Sequence, residues 1–214
     1  MIEDVLADEA VAPGKGARTR ARVLEAAATH FASLGFERGS LPEIARQVGV
    51  SHATLYQHFG RKEALFRAAV EADLTALFAT IHPAIEEADD AASLVGLLPC
   101  LALASERHPL ARRVLADINA EQNEALHGSP ALLDLEARLV RAVRRIQDAH
   151  RVRADIDAER FAAGLIALTL PLLVVALRLG DADDVPRASD ALPFLTDILR
   201  PPTTKRKTKT CTST

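Results

Sequence analysis

Apolar positions recur along this chain at the three- and four-residue steps of a helix. Leu24, Ala27, Phe31 and Leu34 form one such stripe and predict a first helix over 18–34. Gly35 is placed to end it in a left-handed cap, with Phe36 supplying the apolar contact that accompanies such a cap. Ser40, Pro42 and Glu43 read as a capping box with proline in the first turn. They predict a short helix to residue 48 that turns Leu41, Ile44 and Val48 inward. Gly49-Val50 makes a tight turn, Ser51 caps a third helix with Leu55 and Phe59 facing in, and Gly60 closes it. A longer helix is predicted from 61 to 81, interrupted at His82-Pro83. Further helices are predicted over 92–107, 109–126, 130–151, 157–179 and 187–199, with breaks at His108-Pro109, Gly128-Ser129-Pro130, residues 155–157 and Gly180-Asp181.

Composition supports an all-α reading. The apolar fraction is 49%, drawn mainly from Ala and Leu, with no Trp and one Tyr, so strand formers are sparse. Charge then divides the chain. Net charge is −3 overall, but residues 1–17 carry −3, 18–62 carry +4, 63–199 carry −9 and 200–214 carry +5. A small basic module on an acidic body is the footprint of a protein that offers nucleic acid one face. The chain therefore divides into a flexible leader (1–17), a small basic helical module (18–62), an acidic helical body (63–199) and a disordered basic tail (200–214).

Two short helices joined by a glycine turn have helix-turn-helix geometry. Counted from inward Leu55, Ala53 and Gln57 point away from the core, flanked by Thr54 and Tyr56. Glutamine can bind an adenine edge, alanine or threonine can touch a thymine methyl, and tyrosine can reach phosphate. Ser51 and His52 sit at the helix N-terminus, where free amides favour phosphate. Arg61, Lys62, Arg20 and Arg22 are further candidates for the DNA backbone.

The run GFERGSLPEIARQVGVSHATLYQHFGRKEALF resembles the N-terminal signature of TetR-type repressors, through Gly35, Phe36, Ser40, Ile44, Ala45, Gly49, Val50, Ser51, Leu55, Tyr56, His58, Phe59, Lys62 and Leu65. Val48 and Pro42 depart from that pattern without disturbing the groove-facing positions. The resemblance implies that Tyr56, His58 and Lys62 hold phosphates and that His52, Ala53, Thr54 and Gln57 approach bases. Ser40 and Ser51 complete the candidate set. It also implies a helical sensing and dimerising body, and repression of a promoter relieved by a small molecule.

In the body, Phe161–Leu177 is a run of 17 residues without charge, at the lower limit of a membrane span. Flanking charges and the absence of a second span oppose that use, and an all-round apolar helix is otherwise a doubly buried one. Leu165, Leu168, Leu172 and Val175 form one seam, and Leu192 and Leu195 a second on the last helix. The expectation is a four-helix dimer interface that spaces two recognition helices one DNA turn apart over a palindromic operator. Candidate effector contacts are Leu115, Asn119, Gln122, Arg145 and Leu170, in a pocket suited to an apolar or weakly polar ligand.

Enzymatic chemistry finds no support: there is no phosphate loop, GxSxG nucleophile or metal spacing, and the seven histidines are scattered. No metal and no cofactor are expected. Cys100 and Cys211 make no disulfide framework, and Cys100 is expected as a buried thiol. The acidic N-terminus lacks an apolar signal core, which fits a cytoplasmic protein. The alternative is a membrane-associated or structural helical protein built on residues 161–179.

Overall fold

A computed structural model of the chain describes residues 14–116, 126 and 128–179. The expected leader up to residue 13, the 187–199 helix with Leu192 and Leu195, the basic tail, Asn119 and Gln122 lie outside the described residues, as do the side chains of Leu170, Leu172 and Val175. Every regular element among the described residues is helical. The chain divides into two compact units, Met1–Asp73 and Leu74–Thr214. The division falls within a helix, eleven residues beyond the boundary at 62 read from charge.

The first unit contains α1 (Lys15–Arg38), α2 (Leu41–Val48), α3 (His52–Phe59) and the start of α4 (Lys62–Ala79). α1 is broken at Gly35, whose φ of 77° and ψ of 173° leave the helical region. That is the break expected after residue 34, followed by one more turn to Arg38. Leu24, Ala27 and Phe31 of the stripe read from sequence are core, with Val23 added and Leu34 only half-buried; they meet Leu41, Ile44 and Val48 of α2, Leu55 and Phe59 of α3, and Leu65 of α4. Phe31 and Phe36 both pack on Phe66, with ring centroids 5.2 and 5.1 Å away in edge-to-face arrangements. Gly35 takes positive φ, but its ψ of 173° is not the left-handed helical cap expected, and Phe36 packs on Phe66 of α4 with Phe31 at 6.5 Å.

The second unit holds α5 (His82–Glu87), α6 (Ala91–Val95), α7 (Leu97–Ala104), a 3₁₀ turn at Ser105–Arg107, α8 (Pro109–Ala116), α9 (Pro130–Asp148) and α10 (Ala158–Leu179). Two expectations need correction. The helix predicted over 92–107 is two short helices divided at Gly96, where glycine ends one and begins the next. Cys100 is exposed, because α7 turns Leu97 and Leu101 inward and leaves Pro99, Cys100 and Leu103 outside. α10 continues past Pro171 to Leu179 and packs on α7, α8 and α9. One side of the uncharged run within this helix is therefore satisfied within its own unit, through Phe161, Ala162, Ile166 and Leu173.

Charged side chains of α9 fasten the segment around α5. Arg138 bonds Glu86 at 3.1 Å and Asp134 at 2.9 Å, and its guanidinium holds the Asp134 carboxyl below the usual carboxylate range. Arg145 donates to the carbonyls of Ile85 and Ala88 at 3.0 and 2.9 Å. Arg151, just beyond α9, pairs with Asp89. His82 lies 3.7 Å from Asp134, yet burial first and Arg138 second push its imidazole pKa down.

Candidate nucleic-acid interface

α3 is fixed at both ends by its own sequence. The Ser51 hydroxyl accepts the Thr54 N–H at 3.0 Å, an N-cap as expected, and lies 2.8 Å from the Thr54 hydroxyl. Leu55 and Phe59 anchor the inner side, 1% and 8% exposed. The opposite side then has to face out: His52, Ala53, Tyr56, Gln57 and His58 are all exposed, with Thr54 half-buried beside them. Tyr56 is 48% exposed, but the His52 ring stands edge-on to it at 4.7 Å between centroids and props its phenol.

The turn into α3 is set by Gly49, in the left-handed region at φ 73° and ψ 35°. There the Val50 N–H reaches back to the Ala45 carbonyl at 3.0 Å and the Gly49 N–H to Arg46 at 3.2 Å. Arg22 of α1 donates to the Val48 carbonyl at 2.7 Å, placing a cation where the helix carbonyls are unpaired. Arg22 had been expected as a phosphate contact; here it joins α1 to the end of α2.

Two other expected phosphate contacts also serve the scaffold. Lys62 donates to the Glu37 carbonyl at 2.9 Å with its ammonium 4.7 Å from the Phe36 ring centroid, and the Arg20 guanidinium lies 5.1 Å from the centroid of Phe59. Arg46 of α2, exposed and absent from the sequence-derived set, is a basic residue that the motif alone did not single out.

Ser40 differs from the capping box that its sequence suggests. Its hydroxyl makes no cap bond, and its own N–H is donated to His30 Nε2 at 3.0 Å rather than to Glu43. Glu43 instead lies 3.6 Å from that same imidazole nitrogen. His30 reaches Ser40 only because α1 and α2 cross, a tertiary contact that local spacing does not encode.

In the second unit a cavity of about 30 Å³ is walled by Ile81, Leu94, Leu97, Leu101, Leu132, Leu135, Leu139, Leu165 and Ile166. The described residues of this wall are all aliphatic. Leu165, expected at the dimer seam, contributes to this wall, whereas Leu168 of the same seam is 51% exposed. Leu115 is buried in the core outside this wall, and Arg145 is engaged with backbone carbonyls. Of the effector contacts inferred from sequence, Leu115 and Arg145 stand outside this wall, and Asn119, Gln122 and the side chain of Leu170 lie outside the described residues. Among the described residues no group of three His, Cys, Asp or Glu side chains could hold a metal ion.

Residues 23–69 match the sequence model of the bacterial regulatory proteins of the tetR family. The N-terminal unit is a TetR-family domain. The nucleoid occlusion factor SlmA of Vibrio campbellii is 33% identical over 108 residues, a match taking in 50% of this chain and 55% of that protein. The chain thus spans about half the length of the curated relatives it matches. Among solved structures, a TetR-family transcriptional regulator of Cytophaga hutchinsonii superposes with a TM-score of 0.70 at 18% identity, covering 88% of this chain and 98% of that one. GusR of Salmonella enterica gives 0.63 at 26% identity, covering 87% and 97%. The matching family is described as one of bacterial regulatory proteins, in line with the resemblance read from the sequence. Among the described residues no helix is long and apolar enough to cross a membrane, so the alternative built on residues 161–179 has no span there to rest on.

Proposed function

We propose that this chain is a ligand-responsive transcriptional regulator, a repressor that binds a palindromic operator as a homodimer and is released by a small molecule. The observation that carries the reading is the outward face of α3. Five exposed side chains, His52, Ala53, Tyr56, Gln57 and His58, sit on a helix whose inner face and N-cap are fixed. Gln57 and Ala53 have the chemistry of base readout, and Tyr56, His58 and Lys62 that of phosphate contact. Ser51 and Thr54 lie at the start and rim of this surface, and Ser40 at the start of the preceding helix α2. The half-exposed Leu168, on the helix that already packs inside its unit, supports a dimer seam continued through Leu172 and Val175 and joined by Leu192 and Leu195.

The all-aliphatic cavity supports an apolar effector. A single water needs roughly 10–15 Å³ of such space, so a cavity of about 30 Å³ admits a larger ligand only if its helices part. Ile81 in its wall follows the end of α4 by two residues. A ligand seated there would displace α4 and shift the population away from the DNA-binding state. Selection of bound duplexes from random DNA tests the reading: an inverted repeat with half-sites about one turn apart is expected. Recovery of no preferred sequence at moderate salt would refute it.

A further inference from the structure

We infer that His30 is a positioning residue of the DNA-binding unit, and that one of its nitrogens makes operator binding sensitive to mild acid. The inference rests on the DNA-binding reading above. Nε2 of His30 accepts the Ser40 N–H at 3.0 Å, so the imidazole is neutral in this state, with its proton on Nδ1. The bond stands where the expected capping box is missing, since neither Ser40 nor Glu43 caps the start of α2 by side chain. The imidazole is only 11% exposed and edge-on to Phe31 at 6.2 Å. Around it the connection has no slack. Gly39 lies so close to Phe31 that a Cβ there would meet the ring at 2.4 Å, and its N–H is held by the Gly35 carbonyl at 3.1 Å. The Ser40 N–H is thus the last backbone group fixed before α2 begins, and α2 carries α3 through Gly49.

Protonation removes the lone pair that Ser40 uses. Nε2–H then faces one N–H donor and one carboxylate, that of Glu43 at 3.6 Å. Glu43 is the charged group that faces His30 from α2. Among the described residues no other ion-pair partner reaches it, and its neighbours one turn away on α1, Ala26, Ala27, Ser33 and Leu34, are uncharged. The two contacts compete for the same nitrogen. The Ser40 bond is direct and part-buried, whereas the Glu43 carboxylate stands beyond hydrogen-bond length and is 54% exposed, so it offsets only part of the loss. Acid therefore loosens the α2 start and weakens DNA binding. His52 and His58 are common to wild type and every variant below, so what they contribute cancels in the comparison.

The test compares full-length wild type with His30→Gln and His30→Leu. The glutamine amide oxygen occupies the place of Nε2 and accepts at every pH, while leucine cannot accept. With the duplex recovered by selection, the expected result is equal affinity of wild type and His30→Gln at pH 7.5. On going to pH 5.5 wild type should fall behind His30→Gln by about fivefold, the net worth of one hydrogen bond. His30→Leu should be weaker by a similar factor at both pH values. Parallel pH profiles for wild type and His30→Gln overturn the inference, as does wild-type affinity in His30→Leu at pH 7.5. Nitrogen-15 spectra of the imidazole in free wild type keep the question open to decision without DNA. The Nδ1–H tautomer at pH 7.5 is expected, and the Nε2–H tautomer contradicts it. Failure to bind any duplex would refute the functional reading while leaving that spectrum to judge His30.

Discussion

Gly39→Ala isolates a steric contact from backbone strain. Gly39 has φ −64° and ψ 140°, which alanine adopts freely, so no conformational penalty attaches to the change. The added methyl would lie 2.4 Å from Cε1 and 2.5 Å from Cδ1 of Phe31 and 3.2 Å from the Gly35 carbonyl oxygen. Phe31 is fully buried, with Phe66 edge-on at 5.2 Å and Phe36 at 6.5 Å, so its ring has no empty space to move into. Overpacking of this kind costs about 1–3 kcal/mol, and two ring atoms inside the closest approach place this case near 3. Gly49→Ala is the control: nothing lies within 4 Å of its added methyl, and only its φ of 73° opposes it, at about 1–2 kcal/mol. Chemical denaturation of the N-terminal signal should rank Gly39→Ala as the more damaging. Introducing Phe31→Leu into both backgrounds should recover about 1 kcal/mol or more specifically in Gly39→Ala, a coupling that a double-mutant cycle reads. Strict additivity, or a Gly39→Ala loss below that of Gly49→Ala, would refute the steric account.

Arg145→Met keeps the aliphatic stem but removes both donors to Ile85 and Ala88, leaving part-buried carbonyls unpaired; a loss of about 2–3 kcal/mol in denaturation of the second unit is expected. Asp90 accepts the Ser93 N–H at 2.8 Å as the cap of α6, and that bond holds its pKa below the ordinary carboxylate value. A depressed folded-state pKa contributes stability above the unfolded value and loses it as pH falls through the folded one. Asp90→Ala should therefore cost about 1 kcal/mol at pH 7, and the gap to wild type should narrow in melts taken below pH 4. Gln57→Ala should relax preference at one base per half-site by about 1–3 kcal/mol in binding to variant duplexes, whereas Tyr56→Phe should weaken all duplexes alike.

The first unit was largely legible because its signals are local. Leu24 and Phe31 follow helical spacing, Gly49 and Gly60 take positive φ as their turns require, and Ser51 caps α3. The exposed face of α3 then follows from Leu55 by geometry alone. What escaped is tertiary. His30 replaces Glu43 at the start of α2, and Arg22 and Lys62 are drawn to the carbonyls of Val48 and Glu37 across 26 and 25 residues. In the second unit, leucines at helical spacing show that a side faces inward but not which sides leave a gap between them. Leu132, Leu135 and Leu139 thus reach the cavity wall without any local signal that singles them out, and Arg145, chosen for the effector site, is held by carbonyls outside that wall. Gly96 splits a helix that apolar periodicity alone had joined.

The central claim is that the outward face of α3 reads DNA, and backbone amide shifts of the full chain titrated with the selected duplex test it most directly. The account predicts large changes at residues 51–57 and at Ser40, and smaller ones along α9. Changes confined to the basic residues beyond 200, with 51–57 unmoved, would contradict it.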